Sequence, residues 1–517
     1  MIADGKDYLD SPPPKTQVCI VGTGQAGITL AWYLLRRGID VTLLEGSRVF
    51  NPAGPNASVP NSSWYNENKL LYNGESLGLF ATTEPEFLIR PTPETGTNPS
   101  ERDRIYGGTS THWGGQARPL DAITFEKRPG FPGWPITRAD LDPYYAEACK
   151  FLDLYGDYYA PDGTAGYNFT GEFWAKELGL KVADMEGFDV DMYQFVPGEN
   201  LQFQARKVKD QKDQKDKTIG ESDALVILNA SLLNIVQQGG HITALTVGVM
   251  DDNRENPKKL GEFNISADVY VLACGAVANA RQLLLSDVGN KYDLVGRYLM
   301  AHPIAQGARA VSVNPYYLSA PERQLLSYQN PGPKYYPVTF LAGLLTPNAE
   351  ALLAHQCGSC WFGPGGTDNF YHELLPEYQS QVMLSDTTKD PVFGQPQTKV
   401  NWVLNEGEPE NFKTLANLFE KAVTAKKGGP VDIGDWADIE NRMVFNGHHL
   451  GTTRMSATEQ DGVVDRNLKL HGVDNLFVAG SSVWASAGIS NPTFSIVAFS
   501  IRLADYLSQQ LKGSAPG

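Results

Sequence analysis

Residues 17–45 read QVCIVGTGQAGITLAWYLLRRGIDVTLLE, and their pattern decides the architecture. Gln17 to Val21 is a short apolar run of strand length, Gln25 to Arg37 carries apolar residues at helical spacing, and Val41 to Leu44 is a second strand closing on Glu45. Strand, turn, helix and strand in that order open a βαβ unit with a parallel sheet. Between the first strand and the helix stand Gly22, Gly24 and Gly27. The first glycine permits a tight turn, the second lets main chain approach a pyrophosphate, and the third allows close helix packing beside the helix N-terminus. Alone, GxGxxG is a weak signal. Here it lies between a strand and a helix, and Glu45 follows at about 20 residues, where a carboxylate accepts from ribose hydroxyls. The stretch therefore predicts a site for the ADP half of a dinucleotide. Its acid disfavours a ribose 2′-phosphate and hence NADP.

The chain has 517 residues, more than a single core holds, so at least two structural units are expected. Apolar residues make up 42% and charged residues 20%, with a mean hydropathy of −0.30. No run approaches the ~20 apolar residues of a membrane helix, which predicts a soluble protein without a membrane partner. The formal charge of −16, with no basic arm, argues against nucleic acid and fits a neutral small-molecule substrate. Five cysteines (Cys19, Cys149, Cys274, Cys357 and Cys360) are too few, and odd in number, for a disulfide framework. Cys357 and Cys360 form a CxxC that reads either as a redox pair or half a metal site, or as two cysteines of a loop-like stretch; with no second CxxC the last reading is preferred, and no metal is expected. The start, MIADGKDYLDSPPPK, lacks the positive-then-apolar pattern of a signal peptide, so a cytoplasmic location is expected and the Asn-x-Ser/Thr sequons at Asn56, Asn61, Asn168, Asn229 and Asn264 carry little weight.

Farther along, Phe50 to Asp103 is rich in Pro, Asn, Ser and Gly without periodicity and reads as extended loops. Leu141 to Leu152 reads as helix, and the mixed-charge Arg206 to Lys217 (RKVKDQKDQKDK) as a solvated hairpin tip or mobile loop. Ala224 to Leu228 and His241 to Val249 read as strands. Val269 to Cys274 then leads through Gly275 into a helix from Val277 to Ser286, repeating the layout of the opening stretch. Val338 to Trp402 mixes strands with turns, Asn411 to Lys426 reads as helix, and Leu476 to Ala479 is a strand before a terminal helix from Thr493 to Leu511.

Two further constellations point to chemistry. Gly107, Gly108, Gly114 and Gly115 surround Thr109, Ser110, Thr111, His112 and Trp113. Glycines on both sides let main chain lie close against a flat ligand, with small hydroxyls and one imidazole between them. Near the C-terminus, His448 and His449 precede Leu450–Met455 (LGTTRM), with Ala479–Ser482 and Ser490–Thr493 beyond. Histidine titrates near neutrality and suits a base for a hydroxyl proton, and an asparagine can donate to the same oxygen. The residues alone leave equally open that both histidines merely cap a loop.

Taken together, GTGQAG with Glu45, GGTSTHWGG, GWPITRADLDPYY (Gly133–Tyr145), VLACGAVANARQLLLS (Val271–Ser286), VGRYLMAHP (Val295–Pro303), HHLGTTRM and LFVAGSSVWASAGISNPTFSIVAFSIRLADYL (Leu476–Leu507) resemble the glucose-methanol-choline (GMC) family of FAD oxidoreductases, in the family's order and over nearly the whole chain. THW inside a double-glycine loop looks most like the pyranose oxidases and related bacterial sugar oxidoreductases. The resemblance implies an α/β (α+β overall) fold: a discontinuous, Rossmann-like FAD-binding domain (1–150, 218–305 and 445–517) and a substrate-binding domain (151–217 and 306–444) built on a β-sheet with flanking helices. It implies FAD contacts from Gly22, Gly24, Gly27 and Glu45 at the ADP end. At the flavin end it implies them from Gly107, Gly108, Thr109, Thr111, His112, Trp113, Gly114 and Asn491, and it implies further FAD contacts from Gly275 and Ala276, Gly480 and Ser481, and Pro492 and Thr493.

His112 matches the histidine that pyranose oxidases join covalently to the flavin, His448 matches the base with His449 as fallback, and Asn491 matches its partner. The implied reaction is oxidation of a secondary alcohol of a sugar or glycoside, at a pyranose C2 or C3 hydroxyl, by hydride transfer to flavin, which is then reoxidised by oxygen or a quinone-type acceptor. A non-sugar alcohol (aryl, sterol or polyketide), or a flavin-binding electron-transfer subunit without turnover, are the other readings, and a homo-oligomer is left open. One departure stands out: pyranose oxidases carry a threonine two positions after the histidine, where this chain has Gly114. In them that hydroxyl assists the reaction with oxygen, so its absence leaves room for a dehydrogenase.

Overall fold

The computed structural model describes residues 1–46, 106–111, 113–180, 182, 185–196, 202–251, 258–305, 311–312, 328–329, 341–362, 370–425, 432–433, 435–445 and 447–513, and every structural statement below concerns these. The expected loops from Phe50 to Asp103 and the side chain of His112 lie outside them. Six strands make a parallel sheet: β1 (Ile2–Asp4), β2 (Thr16–Val21), β3 (Val41–Leu44), β4 (Leu225–Leu228), β5 (Ala267–Leu272) and β6 (Leu476–Val478). They lie in the order β1-β4-β3-β2-β5-β6, all pairs parallel. Strands covered on both faces read as continuous apolar runs rather than alternations, which is why Val18–Val21, Val41–Leu44 and Tyr270–Leu272 are wholly buried. Truncating one such side chain, Ile20→Ala for instance, should cost about 3 kcal/mol.

Three helices complete this layer. α1 (Gln25–Leu35) follows β2, α2 (Ala276–Leu285) follows β5, and α3 (Pro492–Gly513) packs along α1, where Arg37 pairs with Asp505. Pro492 begins α3 because proline lacks the N–H that the first helical position leaves unpaired anyway. The arrangement is the expected Rossmann-like layer, and the two strand-turn-helix units are neighbours in its sheet.

An antiparallel sheet stands beside it. Its strands run in the order Met443–Phe445, Pro303–Ala305, Phe370–His372, Cys360–Phe362, Leu341–Pro347, Phe188–Phe195 and Gln116–Ala117. One face packs on the helix Glu408–Ala425, with Phe362 stacked on Phe419 at 3.7 Å between ring centroids. The opposite face carries Tyr193, Ala342, Leu344 and Trp361 and packs on Ile489, two residues before Asn491. Strand alternation sorts these side chains between two cores, one structural and one turned toward the C-terminal constellation.

Several details depart from the sequence reading. The charged stretch does form a hairpin, with Val208–Lys209 paired to Asp216–Lys217, but its first residue, Arg206, is buried and bound to Asp153. Cys360 begins a strand rather than lying in a loop, and Cys357 and Cys360 are both buried free thiols, with burial pushing the Cys357 thiol up to about 11. Asn168 and Asn229 are also buried, bonded to the main chain of Tyr155 and Met250. No helix among the described residues is long and apolar enough to cross a membrane.

Candidate functional site

The glycines of the opening stretch divide by what a side chain would meet. A Cβ on Gly22, whose φ is +107°, would stand 2.5 Å from the carbonyl oxygen of Ala273 on the adjoining strand, and one on Gly27 would stand 2.0 Å from that of Gly22. These two are glycine because the turn, β5 and α1 leave no room. Gly24 is different: its φ is −70° and a Cβ there meets nothing within 4 Å. Gly275 and Gly480, each just beyond the carboxyl end of a sheet strand, are equally open. Three open glycines therefore line the carboxyl edge of β2, β5 and β6, neighbours in the sheet and the edge where open α/β sheets bind ligands. This crevice, with the N-terminus of α1 beside it, fits the pyrophosphate and sugars of FAD.

The second glycine loop is packed onto the first. Gly107 and Gly108 have φ of +97° and +56°, and a Cβ on Gly108 would lie 3.1 Å from the Cα of Gly24. Glu45, buried at the end of β3, accepts from the main-chain N–H of Thr23 at 3.3 Å and from its hydroxyl at 2.5 Å. Thr23 in turn accepts from the N–H of Gly107 at 3.1 Å. Thr109 and Thr111 lie in the 3-10 turn Gly108–Thr111, which Ser110 closes by donating to the carbonyl of Gly107. Trp113 packs on Phe203, Gly114 is exposed with open space at its Cβ position, and the chain then enters the strand Gln116–Ala117 of the second sheet.

The C-terminal constellation is tied to the same edge. Asn279 on α2 donates to the carbonyl of Ala479 and the hydroxyl of Ser482, both at 3.0 Å, and Thr452 donates to the carbonyl of Ala276 at 2.6 Å. Ser481 donates to the carbonyl of His449 at 2.7 Å, which fastens the buried His449 and its neighbour His448 to the turn after β6. Asn491 immediately precedes Pro492 and Thr493 at the start of α3, and its amide donates to the side chain of Gln116 at 2.9 Å. His448 is half-buried. Burial, and then the neighbouring His302, pull its pKa down to about 3, so it is a neutral acceptor throughout the ordinary pH range.

Residues 15–61 match the family described as FAD binding domain, and residues 376–500 match GMC oxidoreductase. Across nearly the full length the chain is similar to 2-methyl-1,2-propanediol dehydrogenase of Mycolicibacterium austroafricanum, at 25% identity over 96% of each protein. It is similar also to 6'''-hydroxyparomomycin C oxidase of Streptomyces lividus, at 23% identity over 98% of this chain and 95% of that one. The chain is an FAD-dependent oxidoreductase acting on CH–OH donors. Among solved structures it resembles pyridoxine 4-oxidase from Mesorbium loti with a TM-score of 0.57, at 16% identity over 97% of this chain and 100% of that one, a likeness of fold.

Two residues of this site were not singled out in the sequence. Thr23 sits inside the glycine motif as an ordinary variable position, and only its two bonds reveal that it joins Glu45 to Gly107. His302 is the histidine of VGRYLMAHP; it is buried, and its Nδ1 lies 3.2 Å from Nδ1 of His448. Its signal was a histidine followed by proline at the mouth of a strand, which does not by itself distinguish a core histidine from a working one.

Proposed function

We propose that the enzyme oxidises a secondary alcohol of a sugar or glycoside, at a pyranose C2 or C3 hydroxyl, with His448 as the base. The observation that carries the reading is the position of His448, fastened through His449 and Ser481 to the turn after β6 at the same edge as the FAD crevice. A neutral imidazole can take the hydroxyl proton as the carbon loses hydride. Bound FAD supplies the hydride acceptor. Asn491 spends one amide hydrogen on Gln116 and retains the second, which is the donor assigned to the substrate oxygen. The sugar assignment is supported by the half-buried Tyr371, which stacks at 3.8 Å on Trp361 of the sheet that packs against Ile489. The buried indole N–H of Trp361 has no acceptor among the described residues. The streptomycete relative named for a hydroxyparomomycin agrees with this class.

The resemblance supports dividing the chain into an FAD-binding part (1–150, 218–305 and 445–517) and a substrate-binding part (151–217 and 306–444), with Gln116–Ala117 and Pro303–Ala305 pairing across that division in the second sheet. Gly114 in place of the threonine of pyranose oxidases favours an acceptor other than oxygen, of quinone type.

An anaerobic screen of pyranoses, glycosides, aryl alcohols and 1,2-diols for bleaching of the bound flavin tests the substrate class, and bleaching by diols but by no sugar rejects it. His448→Ala should slow bleaching by ~100-fold or more, the worth of a lost general base. An unchanged rate overturns the role of His448. The histidyl link assigned to His112 by resemblance predicts that the yellow colour stays with acid-precipitated protein; a colourless pellet rejects it.

A further inference from the structure

We propose that His302 is a positioning residue that fixes the proton of His448 on Nδ1 and leaves Nε2 as the lone pair that accepts the substrate's proton. This rests on the reading of His448 as the base and adds which of its nitrogens acts, and why.

The two histidines approach through like atoms, Nδ1 to Nδ1 at 3.2 Å. Such a contact needs one ring to donate and the other to accept, so the pair takes only opposite tautomers. The choice between them is made on the far side of His302, where Nε2 lies 3.3 Å from the carbonyl oxygen of Ala487. A carbonyl only accepts, so the hydrogen of His302 belongs on Nε2. His302 is 1% exposed, and burial brings its pKa down to about 4, so the ring is neutral and carries that one hydrogen. Its Nδ1 is then an acceptor, and His448 must be the donor at its own Nδ1. A neutral His448 with hydrogen on Nδ1 has an unprotonated Nε2.

The frame that holds His302 is itself fixed. Glu373, buried and paired with Arg128, accepts from the N–H of Gly488 at 2.8 Å and from that of Ser359 at 3.0 Å. The loop whose carbonyl at Ala487 reads the tautomer therefore hangs from a carboxylate in the structural core. Proline follows His302 directly and starts the strand Pro303–Ala305, which pairs with Phe370–His372. The ring is thus placed by a strand inside the second sheet, paired on one side with Met443–Phe445 just before His448, and read by a separate loop at Ala487.

The experiment reads the tautomer directly. In FAD-loaded enzyme labelled with ¹⁵N-histidine, with the His448 signals assigned by their loss in His448→Gln, the couplings of ring nitrogens to ring protons distinguish Nδ1–H from Nε2–H. Nδ1–H is expected for His448 in the wild type and in His302→Asn, whose amide oxygen replaces the acceptor. His302→Leu, which offers no acceptor, should show Nε2–H and bleach about 100-fold more slowly with substrate, with Asn recovering most of that loss. Nε2–H at His448 in the wild type overturns the proposal, as do equal bleaching rates in the Leu and Asn variants. If His302→Leu does not fold, the wild-type and Asn spectra decide. Failure of the base assignment itself would appear separately, as undiminished bleaching by His448→Ala with the tautomer unchanged.

Discussion

The hydroxyl of Thr23 accepts the main-chain N–H of Gly107 at 3.1 Å, across 84 residues of sequence, while it donates to Glu45. One side chain thus fixes the spacing between the two glycine loops. Thr23→Val keeps the shape and removes both bonds, leaving a buried N–H unpaired and Glu45 short of a donor, at about 1–3 kcal/mol. The urea midpoint of the FAD-free protein should fall accordingly and FAD dissociation should rise, while Thr23→Ser stays near wild type. A valine variant as stable as the parent would show that the loops are held apart by other contacts.

Gly24 and Gly27 should respond in opposite ways to alanine. At Gly27 the new methyl meets a backbone oxygen at 2.0 Å, which the sheet cannot yield, so the expected cost is about 3 kcal/mol or more and little folded protein. At Gly24 the backbone is ordinary and the space open, so Gly24→Ala should fold within about 1 kcal/mol of wild type yet retain less FAD. Circular dichroism and flavin absorbance together separate the two outcomes. Normal FAD content in Gly24→Ala would mean that the crevice lies elsewhere.

Acid should weaken the fold through His302. Its ordinary pKa of 6.5 falls to about 4 in the folded chain, where Ala487, Gly488, His448, His372 and Glu373 surround it. Above pH 6.5 neither state binds the proton. Between 6.5 and 4 only the unfolded chain does, so stability drops as pH falls through this window and levels off below it for this group. The stability lost across this window is on the order of 3 kcal/mol at most. Urea unfolding from pH 7 to 4 should show a shallower slope for His302→Asn than for wild type; parallel slopes would remove His302 from the account.

Gly114→Thr addresses the acceptor. Its Cβ position is open and its φ lies outside the left-handed region, so the variant should fold. If the missing hydroxyl limits reaction with oxygen, restoring one hydrogen bond should speed aerobic reoxidation of the bleached enzyme by about tenfold, equivalent to ~1.4 kcal/mol, with little change in anaerobic bleaching. A reoxidation rate equal to wild type would place the control of oxygen outside this position.

Much of the parallel sheet was readable locally. Val18–Val21, Val41–Leu44 and Leu476–Val478 are apolar because both faces are covered, and glycines fall where strand ends must turn at once. The second sheet was less visible. Its strands, such as Pro303–Ala305 and Phe370–His372, are short, and they pair with each other across more than 60 residues of sequence. Arg206 shows the same limit: in a run of charge it reads as solvated, and only its pairing with Asp153 explains its burial.

By itself the sequence determined the cofactor fold, because a tight turn, a close approach and a buried strand each restrict residue type at adjacent positions. The motifs around His448 and Asn491 were likewise legible, and the roles proposed for them rest on the resemblance. The nitrogen of His448 that we propose is free was not legible, because the assignment rests on His302, 146 residues earlier, and on a carbonyl at Ala487. A proton's place on an imidazole is set by whatever accepts or donates at the other nitrogen, and only the tertiary structure brings those atoms within 3.2 and 3.3 Å.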